Sequence, residues 1–218
     1  MAQAARDAGL EHLIWSTLED TRNFVPLSDE RMPTLMDKYK VPHFDAKGES
    51  NQFFTDSGVP TTFLLTSFYW DNFIYFGMGP KKDEDGNYTI TLPMSNKKLA
   101  GIAAEDIGKC AYGILKADHR YKNQSVGIAG GHLSGAQMAE SLSKALAKQV
   151  NYNSVSPEIY RSFGFPGAED LGNMFQFNQE FSDSYCNTRN LHESLTLNPE
   201  LLSFDKWLDK YKGQIPLD

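Results

Sequence analysis

His43-Phe44-Asp45-Ala46-Lys47 is the segment of this chain best suited to chemistry. His43 and Lys47 stand four positions apart, so on a helix they share one face. An imidazole there can give or take a proton near neutral pH, and a lysine amine can hydrogen-bond a sugar hydroxyl or polarise an oxygen. The plainer alternative is a solvated helix face, which is what most charged pairs at this spacing form. A second group, Ser67-Phe68-Tyr69-Trp70-Asp71-Asn72-Phe73, follows directly on a β-branched, apolar run at 61–66. Polar and aromatic residues at the carboxyl end of a parallel strand lie where open α/β sheets bind ligands. Tyr69 and Asn72 could stack on and hydrogen-bond a flat, amide-bearing ring. The alternative is a set of core aromatics, above all for Phe68 and Phe73. Ser16 ends another apolar run and counts as a turn residue unless Lys47 and Tyr69 converge on it.

Other motifs carry less. Gly127-Ile-Ala-Gly130-Gly131-His-Leu-Ser-Gly135 could open a phosphate site at a helix N-terminus. Its spacing is not G-x-G-x-x-G, and no acidic residue ends a following strand to hold a ribose, so a plain turn is favoured. Gly77-Met-Gly79 runs into Pro80 with no helix pattern behind it. His12, His119, His132 and His192 show no metal spacing, and no metal site is expected. The two cysteines, Cys110 and Cys186, fit neither a zinc motif nor a disulfide framework, which points to a reducing compartment.

Elements that would position these groups can be read in order. Residues 1–8 are helical in character with Gly9 as a stop, and 12–15 form a short apolar strand. A loop with a helical piece spans 21–41. A second helix covers 42–57 with Gly58 as its stop, and a second strand covers 61–66. Two helix-to-strand steps in succession imply α/β architecture with a parallel sheet. Beyond residue 72, Asp85-Gly86 signals a hairpin and 88–92 alternates as an exposed strand would. An amphipathic helix fits 104–116, a strand 125–129 and a helix 133–149, the last opened by Ser134 and Gln137 at capping-box spacing. A strand fits 150–155. Ser156-Pro157-Glu158 opens a further helix, and Phe204, Trp207 and Leu208 share one face of a terminal helix.

Composition bounds the function. Of 218 residues, 40% are hydrophobic and 22% charged, the balance of an ordinary globular chain. The net charge of −7 repels phosphate backbones and argues against direct nucleic-acid binding. No stretch reaches the ~18 apolar residues of a membrane helix, and the first residues lack the apolar core of a signal peptide. The opening Met-Ala-Gln-Ala-Ala-Arg carries no capping residue and reads as the middle of a helix, so an upstream portion is expected to be missing.

These pieces, in this order, resemble the NmrA-like family, an atypical branch of the short-chain dehydrogenase/reductase superfamily, and in particular its animal NmrA-like domain-containing proteins that bind NADP(H). The resemblance rests on Ala5-Arg-Asp-Ala-Gly-Leu-Glu-His12, Trp15-Ser-Thr-Leu-Glu19, His43-Phe-Asp-Ala-Lys47-Gly-Glu49, Asp56-Ser-Gly-Val-Pro60 and Tyr69-Trp-Asp-Asn72. Glu105-Asp-Ile-Gly108, the block from Gly164 to Phe175, and Leu202-Ser-Phe-Asp-Lys-Trp-Leu208 extend it along nearly the whole chain. It implies an α/β fold: the C-terminal part of a Rossmann-type parallel sheet plus a smaller α/β domain. The first strands and the glycine-rich phosphate-binding loop would lie upstream of Met1, leaving one sheet edge open. Residues 1–75, with a return segment at about 99–130, would be the dinucleotide-binding part. Residues 76–218 would be the smaller C-terminal part that docks a substrate or partner.

The resemblance also implies roles. Lys47 would contact the nicotinamide-side ribose, with Ser16 nearby, and Tyr69, Trp70, Asp71 and Asn72 would pack beside the nicotinamide. His43 stands where a catalytic dehydrogenase of this superfamily has its tyrosine, as in relatives that sense cofactor without turning it over. Leu65 and Ser67 replace an Arg and a Pro that relatives often carry. The expected function is a non-catalytic NAD(P)(H)-binding redox sensor, preferring NADP(H) over NAD(H) and regulating a protein partner. It would be cytoplasmic or nuclear, form a homodimer and bind its cofactor weakly as the present chain. One alternative is an NADPH-dependent oxidoreductase of quinones, enones or similar small carbonyl compounds, with Lys47 and His43 as its catalytic groups. Another is a cofactor-free protein-interaction module.

Overall fold

A computed structural model describes residues 1–83, 86–117 and 119–217. Helix α1 (Ala2–Asp7) ends at Gly9, whose φ of 64° is the left-handed region that glycine enters without strain, and strand β1 (Leu13–Thr17) follows. A 3-10 turn at Thr21–Asn23 and an irregular loop lead into α2 (Pro42–Ser57). Both ends of α2 obey local rules: Pro42 takes the first helical position after an extended Val41, and Gly58 closes the helix at φ 72°. Strand β2 (Thr61–Leu65) lies parallel to β1 in the register Leu13 to Thr61. The helix-to-strand steps expected from the sequence are therefore both present.

The chain continues through β3 (Phe68–Tyr69), the short helix α3 (Asn72–Tyr75), β4 (Lys81–Lys82), β5 (Tyr88–Thr91) and β6 (Lys98–Ile102). Helix α4 (Ala104–Lys116) and strand β7 (Ser125–Gly127) follow. In α4, Asp106, Cys110 and Ile114 recur every fourth residue on the buried face, while Glu105 and Lys116 sit at the ends that suit their charge. Strand β8 (Gly131–Ser134) leads into α5 (Gly135–Leu146), where Ser134 and Gln137 form the expected capping box. Strand β9 (Val150–Asn153) precedes α6 (Pro157–Arg161), capped by Ser156, then α7 (Ala168–Glu180), α8 (Ser182–Thr188), α9 (Leu191–Leu197) and α10 (Phe204–Tyr211).

Three small sheets result, in the orders β1-β2-β7, β3-β6-β8 and β4-β5-β9. The first is parallel throughout, the topology of an α/β fold. Among the described residues β1 pairs only with β2, and its Leu13–Ser16 stretch is half-buried. The larger core joins Phe44 of α2 to Phe175 and Phe177 of α7 and to Trp70, Phe204 and Trp207. A smaller one, with Leu64, Ile102, Cys110 and Ile114, lies under α4. Among the described residues no helix is long and apolar enough to cross a membrane, and no cluster of metal-ligating side chains occurs.

Two local expectations need correction, and a third holds. The strand at 88–92 alternates as expected but is not exposed: Ile90 and Leu92 are fully buried, because β5 pairs with β9 and packs against α5. The helix read at 133–149 begins at Gly135, since Leu133 and Ser134 pair with β6, and it stops at Leu146 because Ala147 turns left-handed at φ 52°. The hairpin forms, with Lys81 opposite Thr89 and Lys82 opposite Tyr88, although Asp85 itself lies outside the described residues.

Candidate functional site

Ser16 stands near the carboxyl end of β1, and α2 packs across it. The approach is close because residue 48 is glycine: a Cβ there would lie 2.8 Å from the Asp20 backbone nitrogen. Asp45, fully buried in the first turn of α2, fixes the helix further. Its carboxylate accepts from the Thr21 amide (2.7 Å) and hydroxyl (2.6 Å), and from the amides of Lys40 (2.7 Å) and Val41 (3.0 Å). So the loop after β1 and the entry to α2 share one carboxylate.

Lys47 is thereby aimed at β1. Its amine donates to the Ser16 carbonyl (3.2 Å) and the Ser16 hydroxyl (3.4 Å). Burial lowers its pKa from the usual lysine value, since the charged form loses water. An ammonium has three donors, so one stays available beyond Ser16. One turn earlier on α2, His43 places Nδ1 2.7 Å from Asp170 Oδ2 of α7. Among the described residues no hydrogen bond engages the other imidazole nitrogen, Nε2. The other Asp170 oxygen is buried and has no hydrogen-bond partner among the described residues.

The aromatic segment divides. Tyr69 is half-buried on β3, with its hydroxyl 3.3 Å from the Thr66 hydroxyl at the carboxyl end of β2. Trp70 is only 1% exposed, and its ring fills the space left by Gly101 and Gly130 and packs on Phe204 and Trp207. Asp71 accepts from the Ala104 amide (2.8 Å) and so caps α4, whose own N-cap residue, Ala103, has no side chain to do it. Asn72 opens α3. The fold thus joins Ser16 to Lys47, keeps His43 on the adjacent turn of α2, leaves Tyr69 on β3 of a separate sheet with its hydroxyl against Thr66, and commits Trp70 and Asp71 to packing and capping. In the glycine-rich segment, Gly127 lies against the Thr188 carbonyl and Gly130 against the Leu202 carbonyl and Trp70, so their missing side chains admit protein atoms.

One group escaped the sequence reading. Arg189, fully buried between α8 and α9, donates from Nε to the Thr66 carbonyl (2.8 Å) and from both terminal nitrogens to Glu19 (2.6 and 2.9 Å). Its guanidinium carbon lies 3.6 Å from the centre of the Tyr185 ring. Burial opposes the charge, yet the facing Tyr185 and Glu19 hold its pKa above the ordinary arginine value. Arg189 ties together the carboxyl ends of β1 and β2 and could be found only through the fold, since 170 positions separate it from Glu19.

Comparison with known proteins places the fold. NmrA-like family domain-containing protein 1 of Rattus norvegicus is 30% identical over 138 residues, covering 60% of this chain and 83% of that protein. The NAD(P)H azoreductase of Xenophilus azovorans is 28% identical over 157 residues, covering 71% of this chain and 48% of that protein, so this chain spans about half its length. Crystal structures of NmrA, a negative transcriptional regulator, in complex with NAD or NADP superpose with a TM-score of 0.75 at 21% identity. They cover 96% of this chain and 67% of theirs, and they establish the fold. The family model of the NmrA-like family matches residues 1–208, and the chain belongs to that family.

Proposed function

We propose that this protein binds a nicotinamide dinucleotide, NADP(H) in preference to NAD(H), and acts as a regulatory sensor of that cofactor rather than a catalyst. The observation that carries the reading is the half-buried Lys47 amine, held by Ser16 at the carboxyl end of a parallel strand with one donor to spare. These groups fit the ribose on the nicotinamide side, whose vicinal hydroxyls would accept from Lys47 and exchange hydrogen bonds with Ser16. Tyr69 lies on a separate sheet, with its hydroxyl beside Thr66 just past the end of β2. The bound group would supply hydride chemistry and a redox-dependent shape, while the chain would supply orientation. Among the described residues, the glycines around Gly130 are occupied by protein and offer the pyrophosphate no cradle, so we expect modest affinity from this chain.

The sensor reading is supported by the place of His43. Its imidazole is tied to Asp170, which couples the cofactor-facing helix α2 to α7 in the C-terminal half. In this reading residues 1–75 with 99–130 hold the dinucleotide, and residues 76–218 meet a protein partner, with homodimers and a cytoplasmic or nuclear location part of the proposal. A second reading, an NADPH-dependent reductase of small carbonyl compounds, draws on the same pair. Asp170 fixes the imidazole tautomer, and Lys47 could polarise a carbonyl oxygen. The azoreductase relative supports it. Calorimetric titration with NADPH, NADP+ and NAD+, followed by an NADPH-oxidation assay over quinones and enones, separates the two. Saturable binding without turnover supports the sensor, turnover that depends on His43 supports the reductase, and absence of binding to any of the three nucleotides sinks both.

A further inference from the structure

The β4-β5-β9 sheet turns Ile90 and Leu92 inward, and alternation turns Thr89 and Thr91 outward. Over that outer face lies a cavity of about 420 Å³, a volume suited to a small organic molecule. Three of its wall residues, Phe76, Phe163 and Phe165, are 75%, 47% and 37% exposed, so apolar rings stand in water around a concave site. The floor is polar: the Thr89 hydroxyl has no hydrogen-bond partner among the described residues, and Lys81 stands at the rim without an acidic partner among them.

Tyr160 lines the same cavity and is only 4% exposed, its ring packed on Phe163 (5.3 Å), Phe165 (5.8 Å) and Phe175 (5.3 Å). Its hydroxyl has no hydrogen-bond partner among the described residues. The ring is buried, but the hydroxyl is not sealed from solvent, so it meets the water of the cavity, which a ligand acceptor could replace. Burial pushes the phenol pKa up to about 12, so it is protonated at neutral pH and offers a donor.

We propose that this cavity binds a small flat conjugated ring carrying an anionic oxygen group. The ring lies among Phe76, Phe163 and Phe165, and the oxygens are held by the Tyr160 and Thr89 hydroxyls and the Lys81 ammonium. A flat ring is favoured over a protein surface because the donor sits recessed behind the exposed rings, where a broad surface would not reach. The cation at the rim of a chain with net charge −7 selects an anionic ligand from a neutral one. This site does not involve Lys47 and stands independently of the dinucleotide reading.

Fluorescence titration of the whole chain with anilinonaphthalene sulfonate, an anionic aromatic dye, tests it. We expect one saturable site. Tyr160→Phe, Lys81→Gln and Phe163→Ala should each weaken it roughly fivefold, the effect of one lost hydrogen bond, charge contact or ring contact. Phe53→Ser, at a 67% exposed phenylalanine away from the cavity, should leave it unchanged. Thermal melts of each variant exclude dye uptake by loosened protein, and Tyr160→Phe keeps the ring that the core requires. The proposal is overturned if wild-type protein shows no saturable binding, if the three cavity variants titrate like wild type, or if NADP+ alone displaces the dye.

Discussion

The Lys47 amine is held twice by one residue, at 3.2 Å by the Ser16 carbonyl and at 3.4 Å by the Ser16 hydroxyl. The contact aligns α2 with β1, and it holds a cation where solvent reaches it poorly.

Lys47→Met keeps the aliphatic stem and removes the amine. We expect NADPH affinity to fall by about tenfold or more, since a charge-assisted hydrogen bond contributes roughly 1.5–3 kcal/mol. Stability should move the other way. Because burial lowers the pKa of Lys47, the unfolded chain binds its proton more tightly, and the charged amine costs stability below the folded-state pKa. That cost is relieved as pH rises toward 10.5, the ordinary lysine value. Paired thermal melts should show Lys47→Met at least as stable as wild type at neutral pH, with any advantage shrinking in alkali.

Glu19→Gln leaves the Arg189 guanidinium buried with only carbonyl acceptors and the Tyr185 ring. Breaking a buried pair from one side costs about 3 kcal/mol or more, so the urea midpoint should drop clearly. Glu19→Gln combined with Arg189→Met should recover much of the loss, because the double variant leaves no uncompensated charge. A single variant as stable as wild type would show that the pair does not hold the strand ends.

Two histidines should make the fold acid-sensitive. Burial, then the charges of Lys122 and His119, lower the pKa of His12; burial, then the charges of Lys98 and Arg189, lower that of His132 against an opposing hydrogen bond to the Arg189 carbonyl. The unfolded chain then takes up protons near 6.5 that the folded chain refuses. Their contribution is intact above 6.5 and is lost as pH falls below it, at about 1.4 kcal/mol per unit of pKa separation. Melting temperature against pH should decline there in wild type and flatten in the His12→Gln/His132→Gln double variant. Parallel curves would refute the assignment.

Trp70 and Asp71 should behave as structural residues. Trp70→Ala should cost about 3–5 kcal/mol through the cavity it opens, and Asp71→Ala about 1 kcal/mol through the lost cap on α4. NADPH affinity, measured where both variants are folded, should stay near wild type. A lost affinity with unchanged melting temperature would return these side chains to the cofactor site.

Local features were legible in the residues themselves. Pro42 and Gly58 bound α2, Ser134 with Gln137 opens α5, and the four-residue repeat at Asp106, Cys110 and Ile114 marks α4. Each is settled within a few residues by backbone sterics, capping or one-sided burial. The pairing of Lys47 with Ser16 was foreseeable because a helix-to-strand step brings a helix face over the strand before it. Strands β6 and β8 were not legible: they are short, contain glycine, and exist through mutual pairing and Trp70. The tertiary structure alone decided that His43 meets Asp170, 127 positions away, that Arg189 meets Glu19, and that Trp70 turns into the core. Such contacts depend on the summed packing of distant elements, for which no local pattern codes.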